Sequence, residues 1–361
     1  MKHYGKLTAA ATAGFMALNV LNIAPVFAEE NTTVINPDAD GNYPITKTLT
    51  LADGDNIKPA NGIEFGFSLS VPSTGYTEYD SAKTDGYGPE TEFYGLKDND
   101  GVKGISVTAA VANDETTKKE YKTKLVVTPT EFEHPGIYVY ELTENAVPTD
   151  DQKYEGITDD NPNEKYIIKV TIGYAADGTT KKVLSVVAAK DGTTKLGNIA
   201  FDAKYDPSTL TVTKVTSGNQ DVAGTEFTFT LKVEGQEGET YTWTTYNANK
   251  AQQETGDLTS NTNTTKEGIK LQNGWYIEVK GLSNNDKYTL TETNAKGYTP
   301  DEINGVAQTF GTTDQKKDIQ FKNKKDGTVP TGILMSAAPF AGLIGLGGVF
   351  AGLFFRRKRE D

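Results

Sequence analysis

The 361 residues carry a formal net charge of −13, no cysteine and two histidines. An acidic chain of this kind is a poor partner for nucleic acid, and the lack of cysteine excludes disulfides, Cys-ligated metals and thiol nucleophiles. His134 is the one histidine outside the extreme N-terminus, too few for a His-based triad or metal centre.

The chain opens on Lys2, His3 and Lys6, continues through a mostly apolar stretch from Leu7 to Pro25, and reaches Val26-Phe27-Ala28. This is the pattern of a signal peptide over 1–28, with cleavage between Ala28 and Glu29. Asn19 and Asn22 interrupt the stretch, which argues against a retained anchor.

From residue 29 onward the pattern is β. Thr, Val and Tyr are plentiful, apolar and polar residues alternate, and turn pairs such as Asp177-Gly178 and Asp191-Gly192 punctuate the runs. The expected class is all-β, with two tandem Ig-like, Greek-key β-sandwich domains. A weak internal repeat sets their limits. YPITKTLTL (43–51) is echoed by STLTVTKVT (208–216), YVYELTEN (138–145) by KYTLTETN (287–294), and NIAFDAKYD (198–206) by DIQFKNKKD (318–326), in the same order. The domains are therefore placed at 29–205 and 206–328. The first is lengthened by a Gly/Asp/Tyr-rich stretch at 74–104, and 247–268 reads as a polar loop. Asp38-Ala39-Asp40-Gly41 and Asp98-Asn99-Asp100-Gly101 lack the spacing of a calcium loop and read as turns. No motif implies a metal or cofactor. The abundant carboxylates read as an acidic surface rather than a hydrolase pair, so no enzyme is expected.

Residues two apart in a strand share a face. Lys214 therefore lies with Leu210 and Val212, Glu292 with Tyr288 and Leu290, and Asn323 with Ile319 and Phe321. An unpaired charge on an apolar face costs several kcal/mol, so such groups should be neutral, paired or consumed. One chemistry uses all three. A neutral Lys214 amine attacks the Asn323 carboxamide while protonated Glu292 holds its oxygen, and a Lys–Asn isopeptide bond forms as ammonia leaves. Strand-end lysines also snorkel to water, and Asn is ordinary in turns, so parity alone leaves both readings open.

The tail has three parts in order: Val329-Pro330-Thr331-Gly332, an uncharged run from Ile333 to Phe355 long enough for a transmembrane helix, and the basic stop Arg356-Arg357-Lys358-Arg359. Over 329–361 this resembles the sorting signal of Gram-positive sortase substrates, with Pro and Thr adjacent where the commoner form separates them. There a membrane transpeptidase cleaves between Thr and Gly, here Thr331 and Gly332.

With the LTVTK lysine, the TE glutamate and the FxN asparagine, the chain resembles T-antigen-type major (backbone) pilins of Gram-positive sortase-assembled pili. The resemblance implies a structural shaft subunit of a covalent pilus on the cell wall, self-linked through Lys214 and Asn323 with Glu292 assisting. Its implied partners are sortase, further copies of the chain, minor pilins and the cell wall, with host surfaces as a further candidate. The alternative is a sortase-anchored adhesin, or a tip or minor pilin that is not polymerised.

The first domain matches in part. Lys47 shares a face with Ile45 and Leu49, and Glu144 with Tyr140 and Leu142, but Ala203 stands where Asn is expected. Asn198 and Asp202 have the wrong parity. The first-domain bond is expected to be absent, leaving a Lys47–Glu144 ion pair. The acceptor lysine that the resemblance implies falls in KDGTTKLGNIAF, at Lys195 with Lys190 in reserve, on an exposed flexible turn.

Overall fold

The structure is a computed structural model that describes residues 34–327 apart from 52–55, 84–86, 89, 163, 191–193 and 312–315. The signal peptide with Ala28 and Glu29, and the sorting signal with Thr331 and Gly332, lie outside the described residues.

The three repeated motifs fall on equivalent strands of two stacked-sheet units. In the first unit, Tyr43–Leu51 sits between Glu120–Val127, antiparallel, and Ile199–Tyr205, parallel. The short strand Ile157–Asp159 covers the far side of Ile199–Tyr205. The facing sheet is built on Gly136–Glu144, Lys165–Tyr174 and Lys181–Ala189. Between the sheets lie Ile45, Leu125, Tyr140, Leu142, Ile168, Val170 and Phe201, all essentially without solvent contact. Alternation produces this directly: along Tyr43–Leu51, the side chains at 43, 45, 47 and 49 are buried and those between them are not.

In the second unit, Ser208–Ser217 pairs antiparallel with Tyr276–Leu282 and parallel with Lys316–Lys324. The facing sheet joins Thr265–Leu271, Phe227–Glu234, Lys287–Glu292 and Gln308–Thr309. Leu210, Val212, Phe229, Leu231, Ile277, Val279, Leu290 and Phe321 fill the space between. In both units the first and last long strands are parallel neighbours. A parallel pair has no hairpin to join it, so its two members are far apart in sequence. A link between them closes nearly the whole unit.

The all-β expectation holds, and among the described residues the only helical turns are the short 3-10 segments Pro129–Glu131 and Gln152–Tyr154. The stretch 247–268, expected to be a loop, instead contains the strand Gln252–Thr259 and the start of Thr265–Leu271. Among the described strands, Gln252–Thr259 is a sheet edge that pairs with Thr240–Tyr246, and Leu258 alone of its side chains is buried. A strand that covers almost no core has little apolar alternation to show. The two Asp-rich tetrapeptides are Asx turns: Asp38 Oδ1 accepts from the backbone N–H of Asp40 and Asn42, and Asp98 Oδ1 from that of Asp100.

The units meet closely. Asn61 N–H donates to the Glu237 carbonyl at 2.7 Å, Lys58 N–H to Thr240 Oγ1 at 2.8 Å, and the Lys118 ammonium to the Pro59 and Gly238 carbonyls. Beneath this seam, the buried Glu239 carboxylate accepts from Tyr241 Oη and Ser283 Oγ, while Asp286 accepts from Ser283 N–H.

Candidate functional site

The parallel register sets the second-unit site. Lys214 lies opposite Phe321 and Thr216 opposite Asn323, so Lys214 and Asn323 are diagonal neighbours facing the core. Glu292, the last residue of its strand, reaches them from the opposite sheet. Lys214 Nζ is 2.9 Å from Glu292 Oε2, and Asn323 Nδ2 donates to both Glu292 oxygens at 2.9 and 2.8 Å. Neither the Lys214 nor the Glu292 side chain has any exposure. Aromatic rings wall the amine, with Nζ 4.3 Å from the Phe227 centroid, 4.7 Å from Phe321 and 5.4 Å from Phe229. Burial pushes the Lys214 pKa down, and the Glu292 bond only partly opposes it. The Asn304 side chain holds the strand end by accepting from Glu292 N–H at 2.6 Å. One polar atom is left over: among the described residues, buried Asn323 Oδ1 meets no donor. Leaving such an acceptor dry costs about 1–3 kcal/mol.

The equivalent place in the first unit is occupied differently. Lys47 lies opposite Phe201 and Leu49 opposite Ala203, so Ala203 holds the position of Asn323 and is fully buried. Asn198 and Asp202 are exposed, as their parity requires. Lys47 Nζ is 2.7 Å from Glu144 Oε1, as expected for the remaining ion pair, but it also lies 2.8 Å from Asp159 Oδ1 and donates to the Asp202 carbonyl at 2.9 Å. Burial raises the Glu144 pKa to about 7 despite the lysine beside it. Sequence reasoning missed Asp159. Its strand has no counterpart in the repeat, although the parity of Ile157 and Asp159 carries the same signal that found the other five residues.

Lys195 occupies the two-residue strand Lys195–Leu196, paired with Ala189 and half-buried. This is less open than the exposed turn anticipated for it, because strand pairing brings it against the sheet edge. Lys190 forms an ion pair with Glu164, and its Nζ lies 5.4 Å from the Tyr166 ring centroid. Asp191 and Gly192 lie outside the described residues.

Residues 208–325, nearly all of the second unit, match a domain family of unknown function, DUF7601. Over 98% of both chains, the sequence is 26% identical to a protein named pilin from Streptococcus pyogenes serotype M1. In fold it is similar to the crystal structure of the major pilin from Streptococcus pyogenes, with a TM-score of 0.59 and 20% identity over 81% of this chain and all of that one. A second major pilin protein from that organism gives a TM-score of 0.54 and 21% identity over 79% of this chain and 97% of the other. The chain is thus similar in fold to major pilins and, over nearly its whole length, similar in sequence to a protein named pilin.

Proposed function

We propose that this chain, which shares sequence and fold with major pilins, is the shaft subunit of a covalently polymerised surface pilus, self-linked by a Lys214–Asn323 bond. The observation that carries the reading is the dry Lys214–Glu292–Asn323 cluster. An ammonium, a carboxylate and a carboxamide meet there with no solvent to support the charges, an arrangement that costs stability unless it reacts.

The chemistry follows from the contacts. Moving one proton from Lys214 to Glu292 leaves a neutral amine and a neutral acid, the forms a dry site favours. A half-turn of the Asn323 carboxamide brings Oδ1 onto the Glu292 hydroxyl, which satisfies the unpartnered oxygen and polarises the carbonyl. The amine then adds to Cγ. The C–Nδ2 bond breaks, Glu292 relays the proton from Nζ to the leaving nitrogen, and ammonia departs. One amide replaces another, so no cofactor or energy source is needed.

Polymerisation would join the tail that follows the second unit to a lysine of the first. Sortase would cleave between Thr331 and Gly332 and pass the Thr331 acyl group to Lys195 of the next copy, with Lys190 in reserve, while the last subunit joins the cell wall. The test is a cell-wall extract from a strain expressing the full precursor. A ladder of high-mass species that collapses on Thr331→Ala and on Lys195→Arg is expected. A single wall-linked band in the unaltered strain would contradict the shaft role and favour an anchored adhesin or minor pilin.

A further inference from the structure

We propose that the first unit carries its own isopeptide bond, between Lys47 and Asp159, formed with loss of water and assisted by Glu144. It rests on the chemistry argued for Lys214, but on a separate set of contacts.

The residue that would supply a carboxamide is absent, and the fold supplies a carboxyl group in its stead. Asp159 pairs with Ala203 across the sheet edge, and Ala203 pairs in turn with Leu49, two residues beyond Lys47. The lysine side chain crosses beneath the last strand, donates to the Asp202 carbonyl on the way, and ends 2.8 Å from Asp159 Oδ1. Ala203 is fully buried between Leu49 and Asp159, so the alanine that removes one acceptor also puts little bulk between Lys47 and the other. Both ends are dry: the Lys47 side chain has no exposure and that of Asp159 has 8%. Glu144 ends its strand as Glu292 does, in contact with the amine at 2.7 Å.

Two carboxyl groups converge on one lysine with almost no water between them, so one excess negative charge is buried. That charge favours a bound proton, in keeping with the Glu144 pKa raised to about 7 by burial. Once Lys47 passes a proton across its 2.8 Å contact to Asp159, the amine adds to Asp159 Cγ while the Glu144 hydroxyl donates to Oδ1. The C–Oδ2 bond breaks, Glu144 relays the proton from Nζ to the departing hydroxyl, and water leaves. One amine and one acid become one amide and one water, with no change of oxidation state. Expulsion of the water from a dry pocket drives the step forward. The link joins the first strand to the edge strand and traps the last strand between them.

High-resolution intact mass and peptide mapping of recombinant protein spanning 29–328 test this, because the two units lose different molecules. The Lys214→Ala variant should be lighter than its sequence by one water, and unaltered protein by one water and one ammonia. A branched peptide joining Lys47 to Asp159 is expected from both. Asp159→Asn should exchange the lost water for ammonia at this site, and Glu144→Gln should leave Lys47 and Asp159 in linear peptides. A Lys214→Ala protein at full sequence mass, or unaltered protein whose Lys47 peptide is linear or branched to Glu144, would overturn the proposal. Absence of the ammonia loss alone would count against the Lys214–Asn323 bond and leave this one standing.

Discussion

The two units solve one problem with different residues. Each buries a lysine on the inner face of its first strand and a glutamate at the end of a strand in the opposite sheet. They differ in the third group. In the second unit it is Asn323, on the strand hydrogen-bonded to the lysine strand; in the first it is Asp159, one strand further out, reached past Ala203. In each unit the buried lysine meets polar side chains from the strands nearest to it, and in the first unit the edge strand supplies one where the neighbouring strand offers only the methyl group of Ala203.

The largest effect should come from opening the second unit. Lys214→Ala would remove the proposed clamp around roughly 110 residues, which the loop-closure estimate puts at about 4–5 kcal/mol. Urea unfolding should show the loss as a lower midpoint. Pulled between residues 195 and 331, the unaltered protein should keep 214–323 folded and the variant should lengthen at modest force. An unchanged midpoint and equal lengthening would mean no clamp exists.

Asp159→Ala opens a loop of similar length, with its ends 112 residues apart, so the same estimate gives up to about 4–5 kcal/mol. The net loss should be somewhat smaller, because Lys47 keeps Glu144 as an ionic partner whereas Lys214→Ala strands Glu292. Asp159→Asn should stay near the unaltered stability. If Asn destabilises as much as Ala, the first-unit comparison fails. Ala203→Leu narrows the lysine's route and overpacks a fully buried position, with a cost of about 1–3 kcal/mol and a Lys47 peptide that maps as linear. Retention of the branched peptide would show that the passage is not what admits Asp159.

The parity of polar residues on apolar faces makes five of the six cluster members legible in the amino-acid sequence: Lys214, Glu292, Asn323, Lys47 and Glu144. The sixth is hidden because its strand, Ile157–Asp159, has no counterpart in the internal repeat that ties the other five together. The seam between units is illegible for a different reason. Lys118, Glu239 and Asp286 occur in turns and strand ends of ordinary polar composition, where no local pattern marks them as buried. The strand Gln252–Thr259 leaves no trace in the pattern because an edge strand with one buried side chain carries no alternation.

That seam gives the smallest expected effect. Burial raises the pKa of both Glu239 and Asp286 above the usual carboxylate range, and the neighbouring Glu239 charge adds to the rise at Asp286. A carboxyl whose folded pKa is raised contributes stability that is fully present below its unfolded pKa and is lost as pH climbs through the folded value. The junction should therefore loosen toward alkaline pH. Asp286→Asn, neutral at every pH, should flatten that slope and gain about 1–2 kcal/mol at the alkaline end. Thermal unfolding followed across pH in both proteins reads this directly, and parallel slopes would contradict it.

Tandem mass spectrometry of digested, unaltered protein addresses the central claim with least intervening inference. A branched peptide in which Lys214 Nζ is joined to the Asn323 side chain, lighter than its two parts by one ammonia, is the expected result. Two linear peptides at full mass, with Asn323 still an amide, would show that the buried lysine is only an ion pair and that the shaft has no covalent clamp there.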